Sequence, residues 1–172
     1  AALSPADRAT LTRAGVRFGA EWIYLAPLLR PAAVGLRAVL WSAAADQPAP
    51  AAPHPGRLGL PRADGVPADF YRTIGYPVLG PRALRVDRLE ALAAAARRLA
   101  RGGPFAATPE LASLADARLV DLPGMLAALG YRAVVEGETT TFVPASRRRS
   151  AVRAETRPDA RPALGDRFAA LG

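Results

Sequence analysis

Hydrophobic and polar positions divide the chain into short blocks whose period changes repeatedly. Ser4, Pro5, Ala6 and Asp7 predict a helix start. Serine can accept from a free backbone N–H, proline suits the first helical position, and aspartate complements the positive helix end. This helix should stop near Gly15. Residues 16–25 then partly alternate, with Val16, Phe18, Trp22 and Tyr24 sharing parity, which predicts a strand or extended segment. A second helix is expected over residues 30–45, with Leu29, Ala33, Leu36 and Leu40 on one face. Residues 46–67 contain six prolines. Pro48, Pro50, Pro53 and Pro55 favour extended backbone, so this stretch reads as a semi-rigid connector.

The pattern beyond the connector is more regular. Residues 69–74 suit one or two helical turns. Residues 76–79 and 83–86 read as strands flanking the turn Gly80-Pro81-Arg82. Asp87 is placed to cap a long helix, with Glu90 completing an acidic capping box. Leu89, Leu92, Ala96 and Leu99 fall on one face of that helix, and Gly102-Gly103 ends it. Thr108-Pro109-Glu110 starts a short helix. Asp121 begins another, with Leu122, Met125, Leu126 and Leu129 inward and Gly130 as terminator. Residues 131–136 and 139–143 form a predicted hairpin around Gly137. The expected class is α+β, mainly α with short β-hairpins and a winged-helix-like C-terminal half. The division is a helical subdomain with a short strand at 1–46, a connector at 47–66, a winged-helix-like subdomain at 67–144 and a basic, disordered tail at 145–172.

Composition changes this picture in two ways. Lysine, asparagine and cysteine are absent, so all 23 basic residues are arginine. That bias fits a GC-rich genome and is no sign of selection for bidentate phosphate contacts. The net charge of +8 survives the discount. Seven arginines against Glu155, Asp159 and Asp166 give residues 145–172 a charge of +4, half of the surplus. A polyanion partner is the natural inference, although basic tails also serve as solvated ends. The absence of cysteine excludes disulfides, thiolate nucleophiles and cysteine-rich zinc sites. Asp7, Arg8 and Arg13 stand where a leader peptide would be apolar, and Arg30 and Arg37 interrupt the most apolar stretch. The expectation is a soluble cytoplasmic monomer without membrane contact.

Candidate chemistry is sparse. Without lysine there is neither a lysine-containing phosphate-binding loop nor a Schiff base. The single histidine, His54, lies between prolines in the connector and reads as a solvated loop residue. Asp64 and Asp69 flank the connector's end, and Glu136 and Glu138 bracket Gly137, where a solvated turn explains them far better than an acid–base or metal role. No catalytic residue and no metal site is assigned. The helix after Asp121 lacks the basic and amide side chains that read base edges, and an acidic hairpin tip would repel phosphate. Arg97, Arg98, Arg101, Arg132, Arg147, Arg148 and Arg149 remain as candidate backbone contacts, and a solvated helix face with a soluble tail accounts for the same residues. Trp22, Tyr24 and Trp41 suit core packing better than base stacking, and Tyr131 reads as a core anchor.

Several segments, in this order, carry a resemblance: GVRFGAEWIYL at 15–25, LLRPAA at 28–33, LRAVLW at 36–41, GYPVLGPRALRVDRLE at 75–90 and LGYR at 129–132. Together they resemble the C-terminal region of bacterial relatives of the mitochondrial-type, ATP-dependent RNA helicases of superfamily two, as found in alphaproteobacteria. The resemblance covers most of residues 10–144. It implies a non-catalytic accessory region that contacts RNA or DNA backbone without sequence preference and braces a motor lying upstream. ATP and magnesium would belong to that motor, because none of its motifs has a counterpart here. The ending Phe168-Ala-Ala-Leu171 fits a short apolar docking segment on the tail. The rival expectation is a protein-interaction or structural module without nucleic-acid binding.

Overall fold

The computed structural model describes residues 3–137 and 139–145. Arg147, Arg148, Arg149, Glu138 and the apolar ending lie outside the described residues. Helices and three small antiparallel sheets alternate along the chain, an α+β arrangement. Helix α1 (Pro5–Arg13) begins as expected, with the Ser4 hydroxyl accepting from the Asp7 N–H at 3.1 Å. It buries no residue, and Arg8 lies over the Phe18 ring at 4.6 Å. The alternating segment is a hairpin of two strands, β1 (Val16–Phe18) and β2 (Ile23–Leu25), not one strand. A 3-10 turn (Ala26–Leu29) leads into α2 (Pro31–Ala45).

Helix α2 corrects the expected face. Val34, Ala38 and Trp41 are its buried residues, whereas Leu36 and Leu40 are 60% and 58% exposed. This helix is apolar nearly all round, so periodicity does not fix which stripe packs. The choice falls on the stripe carrying Trp41. Its indole N–H donates to Asp69 at 3.0 Å, and its ring meets Phe70 edge-on, with centroids 5.1 Å apart. Phe70 and Asp69 belong to α3 (Ala68–Thr73). Phe70, with Tyr71, Ile74, Tyr76 and Ala83, completes a first core around Val34, Ala38 and Trp41.

The connector is tied down at its end. Within it, β3 (Gly59–Pro61) pairs with β5 (Arg82–Leu84), which also pairs with β4 (Val78–Leu79). The Tyr76 hydroxyl donates to the Arg57 carbonyl at 2.7 Å, and the Ala63 N–H donates to the Tyr71 hydroxyl at 3.0 Å. The three-stranded sheet separates two cores because side chains alternate across it. Ala83 joins the first core, while Leu79 and Leu84 join the second.

The second core is built on α4 (Val86–Ala100), through Leu89, Leu92, Ala95 and Ala96. β6 (Phe105–Ala106), α5 (Pro109–Leu114), a 3-10 turn (Leu119–Asp121) and α6 (Leu122–Ala128) follow. The hairpin β7 (Tyr131–Glu136) and β8 (Thr139–Pro144) closes the unit. Its sheet runs β6-β8-β7, so the first strand returns beside the last. Thr108 caps α5 through the Leu111 N–H at 3.4 Å, as the sequence predicts. Tyr131 is the expected core anchor, edge-on to Phe105 with centroids 5.3 Å apart.

The acidic capping box at the start of α4 does not form. Arg85 occupies the cap position without a side-chain cap bond, and Asp87 sits in the first helical turn, paired with Arg85. Glu90 turns away from its own helix. Its carboxylate accepts the backbone N–H groups of Ala20, Glu21 and Trp22 at 2.8, 2.9 and 2.6 Å. The β1–β2 turn thus wraps a carboxylate with consecutive amides, an anion-holding nest. A Cβ on Gly19 would collide with that carboxylate. Charge-assisted hydrogen bonds contribute roughly 1.5–3 kcal/mol each where water is excluded, and less at this half-buried site. Glu90→Ala should therefore destabilise the chain by about 2–4 kcal/mol in urea unfolding. Gly19→Ala should destabilise by about 1–3 kcal/mol alone and by clearly less in the Glu90→Ala background, because the collision partner is then gone. Strict additivity would contradict the contact.

Candidate nucleic-acid interface

The arginines singled out from the sequence do not converge on one patch. Arg98 and Arg101 are exposed at the last turn of α4 and just beyond it. Arg97 is half-buried, and its guanidinium is 3.0 Å from the Glu21 carboxylate. That ion pair satisfies part of the charge assigned to an outside partner, and it adds a second tie between the β1–β2 turn and α4. Arg132 is exposed on β7, beside the inward-facing Tyr131. Strand alternation sends it to the sheet's outer face, away from the core side on which α4 packs. No ion-pair partner lies within reach of Arg98, Arg101 or Arg132 among the described residues.

Helix α6 has one inward and one outward side. Leu122, Met125 and Leu126 point into the core. Its exposed positions are Pro123, Gly124, Ala127 and Ala128, none of which carries a hydrogen-bonding side chain. The start of α6 is also crowded by the β4–β5 turn: a Cβ on Gly80 would overlap the Gly124 backbone carbonyl. Gly80 has φ +61°, so glycine meets both the spatial and the conformational requirement there. Arg82 fixes this turn. It donates to the Asp116 carbonyl at 2.7 Å and lies 3.5 Å from the Asp121 carboxylate, while the Asp116 carboxylate accepts the Gly59 N–H at 2.8 Å.

Sequence reading missed a second arginine cluster, at the seam between the β1–β2 hairpin, α2 and α3. A cavity of about 240 Å³ is lined by Trp22, Tyr24, Leu28 and Leu29 on its apolar side and by Arg37 and Arg72. No carboxylate lines it among the described residues. Tyr24 and Leu29 also border an adjoining depression that contains Arg17, Arg30 and the Arg85–Asp87 pair. Burial holds the Arg37 guanidinium below its ordinary pKa, yet an arginine so placed keeps its charge at neutral pH. Burial first, then the charges of Asp87 and Glu90, raise the Tyr24 hydroxyl above its ordinary value, so it stays neutral. Only the apolar spacing of the hairpin hinted at this wall. Arg37 and Arg72 come together through tertiary packing of α2 and α3.

Elsewhere, His54 is exposed in the connector. No group of three metal-binding side chains occurs among the described residues, and no described helix is long and apolar enough to cross a membrane. Comparison with protein-family models, curated proteins and solved structures finds no match to this chain.

Asp87, in the adjoining depression, gives a pH prediction. Burial would raise the Asp87 pKa, but paired hydrogen bonds from Arg85, both 2.7 Å, outweigh it and hold the carboxyl below its ordinary value. The folded pKa is the lower one. The pair's stabilisation is therefore complete above the unfolded value of about 3.9 and is lost as pH falls through the folded value. Screening at this partly exposed site limits it to less than about 1 kcal/mol. Asp87→Asn should lower the urea midpoint slightly at neutral pH and reduce the loss of stability as pH falls below about 4. An unchanged acid profile would contradict the pairing.

Proposed function

We propose that the chain is a non-catalytic accessory region of an ATP-dependent helicase, contacting RNA or DNA backbone without reading sequence. The order α4, β6, α5, α6, β7, β8, with sheet order β6-β8-β7, supports a winged-helix-like reading of the C-terminal half. The observation that carries the functional reading is the pairing of two features on this unit. Arg98, Arg101 and Arg132 are exposed and without carboxylate partners among the described residues. The helix that would enter a major groove offers no side chain that hydrogen-bonds a base edge. Such a surface neutralises phosphates and is indifferent to sequence.

On this reading the motor, with its ATP and magnesium, lies in another part of the protein, and this region braces it beside the strand. The tail arginines Arg147, Arg148 and Arg149 add charge to the same task. A second reading, a protein-interaction module, is favoured by one feature. Leu36, Val39 and Leu40, all at least 58% exposed, form an unpartnered apolar stripe on α2.

Binding of the full chain to single- and double-stranded RNA and DNA across a salt series separates the two. The proposal predicts affinity that falls steeply with salt and does not depend on sequence. Arg98→Ala, Arg101→Ala and Arg132→Ala together should flatten the single-strand log–log slope by roughly two units, at about 0.7 per phosphate contact. Absence of binding above background at low salt, with self-association lost on Leu36→Ser and Leu40→Ser, would favour the interaction module.

A further inference from the structure

The cleft between the β1–β2 hairpin, α2 and α3 brings two arginines beside an aromatic lining. Arg37 is partly withdrawn from water, with no carboxylate partner among the described residues and no side-chain hydrogen bond there. Desolvating a guanidinium is costly unless an anion offsets it. Arg72 lines the same cavity and is likewise without an acid partner among the described residues. Trp22 and Tyr24 line the same cavity, Trp22 also packing against the second core. The neighbouring depression continues the charge through Arg17 and Arg30, and the two share Tyr24 and Leu29.

We propose that this cleft binds single-stranded nucleic acid, with Arg37 and Arg72 holding a backbone phosphate while an unpaired base rests against the Trp22–Tyr24 wall. Three observations favour that ligand over other polyanions. A bare phosphate or an acidic peptide would satisfy the arginines but leave the aromatic wall unused. A duplex keeps its bases stacked inside and cannot offer one to a cavity of about 240 Å³. A single strand presents both a charge and a planar face at every residue, and its binding sites combine a basic groove with aromatic platforms. Arg17 and Arg30 in the adjoining depression then meet the next phosphate along the strand. The inference rests on the nucleic-acid reading above but assigns a different site, away from Arg98, Arg101 and Arg132.

The test uses the full chain and an oligothymidylate of about eight nucleotides, a length within the site sizes of single-strand binders. Its complement supplies the duplex. Strand binding should quench Trp22 fluorescence, and Trp22→Phe should abolish that quench. Trp41 is buried in the first core with its indole bonded to Asp69, and any signal change left in the Trp22→Phe variant is its own. Arg72→Ala and Arg37→Met should each weaken single-strand binding roughly tenfold at fixed salt, and duplex binding far less. Arg72 is exposed, so its variant carries the test even if Arg37→Met lowers Tm. The cleft assignment is overturned if both variants bind the oligonucleotide as the native chain does while the Arg98, Arg101 and Arg132 variant does not. That outcome leaves the broader reading intact. It is overturned equally if duplex or oligoglutamate binds the cleft as tightly as the single strand. If no nucleic acid binds the native chain at low salt, both readings fall together.

Discussion

A single carboxylate decides how the first part of this chain relates to the rest. Glu90 stands in the first turns of α4 and reaches across to three consecutive amides of the β1–β2 turn. Those amides have no strand partner, because the turn is where the hairpin reverses. A carboxylate satisfies all three at once, and Gly19 leaves the room for it. Trp22 is thereby pressed against the edge of the second core, and Arg97 meets Glu21 across the same junction. The short hairpin has little apolar area to hold it in place, and two-stranded ribbons alone are marginal in water. Polar anchoring at its tip does what burial would do in a larger element.

The consequences reach the surface. With the hairpin fixed on α4, β2 faces α2 and α3, and the walls of the arginine cleft come from three separate stretches of chain. Arg37 and Arg72 are held on helices by a core that does not include them, through Trp41, Phe70 and Ile74. On the other side, Arg82 and Asp116 clamp the shared sheet to the turn after α5. That clamp sets the β4–β5 turn against α6. One anchor thus creates a concave, positively charged seam, and the other crowds the start of α6.

Local rules were legible where the interaction is local. Ser4 and Thr108 cap their helices, Gly130 ends α6, and the strands expected at residues 131–136 and 139–143 pair with each other. Leu89, Leu92 and Ala96 of α4 and Leu122, Met125 and Leu126 of α6 were readable because polar residues mark the outer face or short length limits the choice, whereas Leu99, expected on the same face of α4, is exposed in its last turn. Misreadings arise where one local pattern has two physical outcomes. Asp87 and Glu90 have capping-box spacing, but their carboxylates find a guanidinium and a distant turn instead. Helix α2 has apolar residues on every side, so nothing in its period favours Val34 over Leu36. The two-residue strand β6 is too short to leave a pattern, and Gly59–Pro61 hides in a proline-rich run because its pairing partner lies beyond α3. The candidate site divides in the same way. Basic residues were visible as a count. Which of them lack an acid partner is a tertiary property, and it shifts attention from Arg97 to Arg37 and Arg72.

The account stands or falls on the junction at Glu90, and amide hydrogen exchange of the native chain addresses it directly. The N–H groups of Ala20, Glu21 and Trp22 occupy an exposed turn, where free loop amides exchange nearly as fast as in an unfolded peptide. Seated on Glu90, they should instead be strongly protected and should exchange together, through the same opening event as the amides of the first turns of α4. Exchange of those three amides at loop rates while α4 stays protected would show that the hairpin is not anchored. The cleft built on it would then lose its wall.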